Sequence, residues 1–317
     1  MTVPTLKFYD LPTPEIDVSA EVLAGLKQSN KQIAPKYFYD ETGSALFTEI
    51  TRQPEYYPAR TEIGLLKNLN RDLVDTIGTG VALIEYGSGS SEKIRVLLES
   101  LRPSLYAPID ISRDYLAQSV ERLTQDYDWL NVKATCIDYS QEFDLPFDAS
   151  GRRVGFFPGS SIGNFDPDQA VRFLRQVRRH VGVDGSLLIG VDLKKDHAVL
   201  NSAYNDRAGV TERFNLNILT HLNAEMTGNF ELENFRHEAG YNIDKGCIEM
   251  FLVSETAQEV MLGGAVISLE AGEKIHTENS FKYSSDEFTQ MASDAGFAKH
   301  RFWTDDQQWF GLFYLYS

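Results

Sequence analysis

The segment Val81-Ala-Leu-Ile-Glu-Tyr-Gly-Ser-Gly-Ser-Ser-Glu-Lys93 decides the fold. Its apolar first half predicts a buried strand, and Gly87 and Gly89 predict a tight turn that lets a ligand approach the backbone. The third glycine of the dinucleotide-binding pattern is missing, because Glu92 occupies that position. A carboxylate there disfavours a pyrophosphate but tolerates a sulfonium cation with an amino-acid tail. By itself the turn is weak evidence, since an ordinary strand–helix connection has the same composition.

Short apolar runs alternate with helical segments on the C-terminal side of this turn. The further runs are Tyr106–Asp110, Val132–Asp138, Val154–Pro158 and Ser186–Asp192. Such alternation predicts parallel strands with crossover helices in a doubly wound α/β sheet. Ligands of these sheets bind beyond the carboxyl ends of the strands.

Two acids follow the strand ends where a nucleoside is usually held. Asp110 closes the second strand, where a carboxylate can accept both hydroxyl protons of a ribose. Asp138 follows the third strand and can accept an adenine amino proton, with Tyr139 beside it as a stacking surface. Each acid alone is more often a helix cap or a loop residue. Their order along the chain favours a nucleoside cofactor, and S-adenosylmethionine over NAD.

The alternation stops after Asp196. A short helix is predicted within residues 13–30, a longer one from Thr61 to Gly78, and an antiparallel meander over 247–269. The last segments, Phe297–Trp303 and Trp309–Tyr316, predict a hairpin that completes the first sheet. We therefore expect a cofactor-binding domain of residues 61–195 plus 281–317, and a second, substrate-binding domain of residues 1–60 plus 196–280.

The composition narrows the class of partner. The chain of 317 residues has 46 acidic and 30 basic residues, a formal charge of −16, which disfavours nucleic acids and anionic membranes. Its two cysteines, Cys136 and Cys247, lie far apart without a metal-ligand spacing, so we expect no disulfide and no metal. We expect neither a secretory signal nor a membrane-spanning segment. We expect a cytoplasmic monomer that acts on a small molecule.

The loop after the fourth strand is the candidate substrate site. It contains Gly159-Ser-Ser-Ile-Gly-Asn164, and Asn164 can present an amide to a polar substrate. An ordinary Gly/Ser/Asn turn explains the same residues equally well.

Five segments carry distinctive motifs: Lys36-Tyr-Phe-Tyr-Asp-Glu-Thr-Gly-Ser44, Pro54-Glu-Tyr-Tyr-Pro-Ala-Arg-Thr-Glu62, Gly87-Ser-Gly-Ser-Ser-Glu-Lys93, Gly159-Ser-Ser-Ile-Gly-Asn164 and Thr277-Glu-Asn-Ser280. Together they strongly resemble the histidine-specific Nα-methyltransferases, which make hercynine, the trimethyl betaine of histidine, on the route to ergothioneine. The resemblance runs from about residue 12 to the end, in the family's own order, and it implies a Rossmann-like class I methyltransferase sheet with a second, α+β substrate-binding domain.

The resemblance implies a role for each matching residue. Asn164 and Tyr204 match residues that hold the amino and carboxylate groups of the substrate, and Tyr39 and Asn164 are the expected catalytic residues. Glu278 and Ser280 match the pair that hydrogen-bonds the imidazole ring. The remaining expected contacts are Gly87, Lys93, Asp110, Asp138 and Tyr139 with the cofactor, and Tyr39, Tyr56, Gly159 and Met250 with the substrate.

Three other functions compete with this prediction. Relatives of the family methylate tryptophan-derived or tyrosine amino groups, but a carboxylate such as Glu278 gains less from an indole or a phenol. A non-catalytic cofactor-binding subunit conflicts with the complete set of pocket residues. A nucleic-acid methyltransferase conflicts with the acidic charge.

Overall fold

The computed structural model describes residues 5–11, 18–89 and 92–317. The start of the predicted first helix, and Ser90 and Ser91 of the glycine turn, lie outside these residues. The strands are β1 (Leu6–Asp10), β2 (Lys31–Gln32), β3 (Ala82–Tyr86), β4 (Leu105–Asp110), β5 (Val132–Cys136), β6 (Arg153–Phe157), β7 (Ser186–Asp192), β8 (Phe235–Asn242), β9 (Cys247–Ser254), β10 (Gln258–Leu262), β11 (Ala265–Leu269), β12 (Lys274–Phe281), β13 (Lys299–Thr304) and β14 (Phe310–Tyr316). The α-helices are α1 (Val18–Leu26), α2 (Glu41–Ile50), α3 (Tyr57–Asn68), α4 (Asn70–Ile77), α5 (Glu92–Leu101), α6 (Arg113–Asp126), α7 (Pro167–Val181), α8 (His197–Ala203), α9 (Val210–Met226) and α10 (Ser285–Asp294).

The chain divides into two compact units, and the first contains residues 58–194 and 282–317 together with β1. Its sheet has the strand order β1-β5-β4-β3-β6-β7-β14-β13. The six strands β1, β5, β4, β3, β6 and β7 pair in parallel, whereas β14 runs antiparallel to both β7 and β13. The predicted doubly wound α/β sheet and its terminal hairpin are thereby confirmed.

Strand β3 lies in the middle of this sheet, and both of its faces are covered. All five of its residues are buried, and it pairs with β4 on one side and with β6 on the other. Helix α5 packs Leu97, Leu98 and Leu101 into the same core. Parallel strands buried on both faces are near-continuously apolar, so β3 was recognisable in the sequence.

The N-terminal strand was assigned to the wrong unit. The predicted second domain includes residues 1–60, but Leu6–Asp10 pairs in parallel with Val132–Cys136 at the edge of the first sheet. Its five residues are exposed or half-buried. An edge strand of this kind has no apolar run, and its pairing partner lies more than a hundred residues away.

The long helix predicted from Thr61 to Gly78 is in fact two helices. Helix α3 begins earlier, at Tyr57, with Pro58 in its first turn, where the missing N–H has no helical partner to lose. The chain leaves the helical conformation at Leu69, and α4 follows. Both helices still contribute buried leucines, Leu66 from α3 and Leu73 from α4.

The second unit contains residues 195–281 and the segment that ends at Tyr57. It holds a four-stranded sheet of order β2-β12-β9-β8 and a separate hairpin of β10 and β11. Of the predicted meander over 247–269, the antiparallel pairing of β10 with β11 is confirmed, but β9 pairs with β8 and β12 and not with β10. Strand β8 was not predicted, because it is rich in polar residues and a search for apolar runs does not find it.

Candidate active site

The glycine turn after β3 is held against the end of β4. Gly87 and Gly89 adopt φ values of +67° and +45°, which residues other than glycine rarely adopt. The amide of Gly87 donates to the carbonyl of Ile109 at 2.8 Å. A Cβ atom on Gly87 would lie 3.1 Å from the hydroxyl of Tyr139, so glycine is also needed for close packing.

Asp110 connects this turn to the start of the next helix. Its Oδ2 accepts the Gly89 amide proton at 3.2 Å, and its Oδ1 accepts that of Ser112 at 2.9 Å. Burial raises the pKa of Asp110, while these backbone donors oppose the shift. The predicted glycine turn and the predicted ribose-binding acid therefore lie together in the first unit.

Asp138 and Tyr139 lie beyond the end of β5. The Asp138 side chain is buried and accepts hydrogen bonds from the backbone and the hydroxyl of Ser140. Burial raises the pKa of Tyr139 and keeps its hydroxyl protonated. The ring of Tyr139 packs edge-on against Phe157 and Phe165. This packing fixes a rigid aromatic surface beside the glycine turn.

Glu62 is a site residue whose role the sequence did not predict. The Glu62 side chain is fully buried, and its Oε2 accepts from Lys93 Nζ at 2.6 Å and from the Gly159 amide at 2.8 Å. Its Oε1 lies against Gly190, where any Cβ atom would approach within 2.1 Å. Glu62 thus joins α3, α5 and the loop after β6. Its place at the end of a family-like motif was the available signal.

A second buried acid lies within β3 itself. The hydroxyl of Tyr106 donates to Glu85 Oε2, and both side chains are buried. Burial nevertheless raises the pKa of Glu85 from 4.5 to about 8, against the opposing effects of Tyr106 and of the nearby Lys93. The folded protein therefore holds a proton on Glu85 that the unfolded chain releases at lower pH.

The pH dependence of stability should report this proton. The pKa of Glu85 is higher in the folded protein than in the unfolded chain. The contribution of this group to the free energy of unfolding is therefore fully present below pH 4.5 and is lost as the pH rises through about 8. We expect Glu85→Gln to flatten the fall in the free energy of unfolding across this window, measured by urea titration. The exposed Glu121→Gln variant should keep the wild-type slope. An unchanged slope in Glu85→Gln would contradict the raised pKa.

The loop after β6 is ordered by hydrogen bonds at its base. Ser160 adopts a φ of +57°, and its hydroxyl accepts the amide proton of Asp192 at the end of β7. A short 3₁₀ helix, Ser161–Asn164, then places Asn164 at its last position, half-buried. Gly159, whose amide binds Glu62, adopts a φ of +82°.

In the second unit, the predicted substrate tyrosines belong to one aromatic cluster. Phe47 lies 6.0 Å from Tyr39 and 6.3 Å from Tyr56 between ring centroids, and Tyr56 lies 6.2 Å from Tyr204. The hydroxyl of Tyr204 donates to Ser280 Oγ at 2.7 Å. The structure therefore brings Tyr39, Tyr56, Tyr204 and Ser280 into one connected group.

Glu278 is buried, with 8% of its surface exposed, although polar strand residues usually face solvent. Its paired residue on the adjacent strand β9 is the buried Met250. The register of β12 against β9 shifts between His276 and Glu278, which leaves Thr277 without a partner of its own on β9. Such a bulge re-aims the side chains that follow it.

Neither a metal centre nor a membrane segment is found in the described part of the chain. Over residues 5–11, 18–89 and 92–317, no three His, Cys, Asp or Glu side chains form a group that could hold a metal ion. In the same residues, none of the helices has the length and apolar character needed to cross a bilayer.

The topology of the first unit and the acids at its strand ends define a class I, S-adenosylmethionine-dependent methyltransferase fold. A solved S-adenosylmethionine-dependent methyltransferase from Clostridium acetobutylicum superimposes with a TM-score of 0.50. The match covers 85% of this chain and 97% of that one at 9% sequence identity, so it bears on the fold alone.

The chain belongs to the histidine-specific, S-adenosylmethionine-dependent methyltransferase family, whose model matches residues 18–317. It is 37% identical over 299 residues to the histidine N-alpha-methyltransferase of Mycolicibacterium smegmatis, covering 92% of both chains. It is also 30% identical to the ergothioneine biosynthesis protein 1 of Neurospora crassa, over 92% of this chain and 34% of that protein. The family predicted from the sequence is confirmed.

Proposed function

We propose that this enzyme transfers three methyl groups from S-adenosylmethionine to the α-amino nitrogen of L-histidine. The product is hercynine, and the reaction is a step of ergothioneine biosynthesis. The observation that carries the proposal is the buried Glu278, on the same face of β12 as Ser280 and next to Met250. The names of the two relatives, one from Mycolicibacterium smegmatis and one from Neurospora crassa, support the same substrate and pathway.

The cofactor assignment rests on the residues of the first unit. Gly87 gives backbone access, Asp110 offers carboxylate oxygens for the two ribose hydroxyls, and Asp138 accepts the adenine amino proton. Tyr139 supplies the stacking surface, and Lys93 supplies a cation for the carboxylate of the cofactor's amino-acid tail. When bound, the cofactor supplies a methyl group activated by a sulfonium. The chain needs no metal for this chemistry.

The imidazole assignment rests on complementary hydrogen-bonding groups in the second unit. A neutral imidazole has one N–H donor and one nitrogen acceptor. The carboxyl oxygens of Glu278 provide acceptors, and Ser280, which accepts the Tyr204 proton, provides a hydroxyl donor. One of each is what a neutral imidazole requires, whereas an indole has no nitrogen acceptor. Met250 forms the apolar wall beside the ring.

The amino-acid end of the substrate is assigned to other residues. We propose that Asn164 binds the amino group, that Tyr204 binds the carboxylate, and that the Gly159 backbone and Tyr56 complete the contacts. Methyl transfer requires a neutral amine lone pair in line with the carbon–sulfur bond, and such orientation contributes several kcal/mol. A neighbouring sulfonium already disfavours an ammonium. Tyr39 accepts a hydrogen bond from the amine between successive transfers.

The remaining assignments concern the protein as a whole. We propose a cytoplasmic monomer whose partner is free L-histidine, and neither a nucleic acid nor a membrane. The acidic charge of −16 supports the exclusion of both polyanionic partners. The alternative substrate is another aromatic amino acid, tyrosine or a tryptophan derivative.

The test is an assay of the purified chain with S-adenosylmethionine and each of the twenty amino acids, followed by mass spectrometry. We expect histidine alone to gain three methyl groups efficiently. Methylation of tryptophan or tyrosine in preference to histidine would replace the substrate assignment. If the chain binds the cofactor but methylates no amino acid, the alternative of a non-catalytic cofactor-binding protein replaces the proposal.

A further inference from the structure

The bulge at Thr277 determines which face of β12 carries Glu278. In a regular strand, side chains alternate, so His276 and Glu278 would share one face. In this structure His276 Nε2 hydrogen-bonds the side chain of Asn279 at 2.9 Å, which places those two residues on one face. The extra residue in the strand therefore turns Glu278 and Ser280 to the opposite, buried face.

A buried hydrogen-bond network holds this bulge. The Thr277 hydroxyl donates to Asn215 Oδ1 at 2.8 Å and lies 3.2 Å from the Met250 carbonyl. Asn215 Nδ2 binds the Phe251 carbonyl at 3.0 Å and His237 Nδ1 at 2.8 Å. Asn215 and Thr277 are both fully buried, so each lost partner would leave an unsatisfied polar group.

The network continues to the tyrosine that contacts Ser280. His237 Nε2 lies 3.0 Å from the Tyr204 carbonyl, which can only accept, so Nε2 carries the proton and Nδ1 accepts from Asn215. Burial lowers the pKa of His237, which favours this neutral form. Tyr204 then donates through its hydroxyl to Ser280. The network from Thr277 thus reaches the backbone of Tyr204, and the side chain of the same tyrosine binds Ser280 on β12.

We propose that Thr277, Asn215 and His237 are positioning residues that set Glu278, Ser280 and Tyr204 in the geometry that recognises the substrate ring. None of the three touches the ring in this assignment. The inference rests on the proposed function, because it assumes that Glu278 and Ser280 bind imidazole. Specificity for the substrate ring then depends on the bulge in β12, which the Thr277 hydroxyl holds in place.

The test compares Thr277→Val with Thr277→Ser. Valine keeps the β-branched shape and removes the hydroxyl, whereas serine keeps the hydroxyl. We expect Thr277→Val to raise the KM for histidine about tenfold or more, with kcat changed by less than about threefold. We expect Thr277→Ser to stay within about threefold of the wild-type KM, since its hydroxyl still binds Asn215. The affinity for S-adenosylhomocysteine, measured by calorimetry, should not change in either variant.

A second variant, His237→Asn, breaks the hydrogen-bond network at its contact with Tyr204. His237→Asn keeps an acceptor near Asn215 and removes the donor to the Tyr204 carbonyl, at a half-buried position that tolerates change better. It should also raise the KM for histidine. The kinetic assays contain saturating S-adenosylmethionine, which also stabilises the folded state, whereas the calorimetry starts from protein without cofactor. If Thr277→Val does not fold, the KM of His237→Asn tests the same network.

The outcomes separate this inference from the proposed function. If Glu278→Ala impairs histidine turnover while Thr277→Val and His237→Asn keep the wild-type KM, the positioning role is wrong and the substrate assignment stands. A lower melting temperature with an unchanged KM also overturns it, because the network would then only stabilise the fold. If the wild-type chain does not methylate histidine, the proposed function itself fails.

Discussion

Glu278→Ala should lower the enzyme's preference for histidine more than any other single substitution in the second unit. A buried carboxylate that accepts an imidazole N–H contributes about 1.5–3 kcal/mol, as hydrogen bonds to charged groups do. The variant should therefore lose about ten- to a hundredfold in kcat/KM for histidine. Removing the charge should also ease the entry of a less polar ring. A competition assay with equal histidine and tryptophan measures both effects.

The adjacent Asn279 provides a matched control for this substitution. Its side chain binds His276 on the opposite face of the strand, so Asn279→Ala should leave the preference for histidine unchanged. Met250 is paired with Glu278 on the adjacent strand, so a smaller residue at this position should shift the substrate preference of the Glu278→Ala variant further towards tryptophan. If histidine preference survives Glu278→Ala undiminished, the carboxylate does not recognise the ring.

The first unit could be predicted because its signals are local. Buried parallel strands such as β3 are continuous apolar runs, and the residue after each strand end falls at the same edge of the sheet. The positions of Gly87, Asp110 and Tyr139 followed from that rule. The structure brings them together: Gly89 hydrogen-bonds Asp110, and the Tyr139 hydroxyl lies where a side chain on Gly87 would begin.

The features that were missed depend on distant partners. Strand β12 is mostly polar, and Thr277 at its bulge hydrogen-bonds Asn215, which lies 62 residues away in the sequence. A pattern of alternation cannot indicate an extra residue in a strand, and a shift of one residue reverses the faces that follow. Glu62 is similar, because its partners Lys93 and Gly159 come from separate elements. Only the resemblance to the family marked Glu278.

Asp110→Ala should weaken cofactor binding about a hundredfold, because two charge-assisted hydrogen bonds to the ribose are lost. The same carboxylate also accepts the amides of Gly89 and Ser112, so a simple loss of affinity would not distinguish a ribose contact from a disturbed turn. A cofactor analogue separates them. In the wild type, S-adenosylhomocysteine should bind far more tightly than its 2′,3′-dideoxy analogue, since only the former has hydroxyls to donate.

In Asp110→Ala the two ligands should bind with nearly equal affinity, because the group that distinguishes them is gone. This comparison is a double-mutant cycle in which the second change is made on the ligand, so a disturbed turn affects both ligands alike and cancels. Calorimetry supplies all four affinities, and Glu121→Gln, at an exposed position, serves as the unaffected protein control. Discrimination between the ligands that persists in Asp110→Ala would assign the ribose to another residue. It would leave Asp110 as the residue that holds the glycine turn, since its bonds to Gly89 and Ser112 do not depend on a ligand.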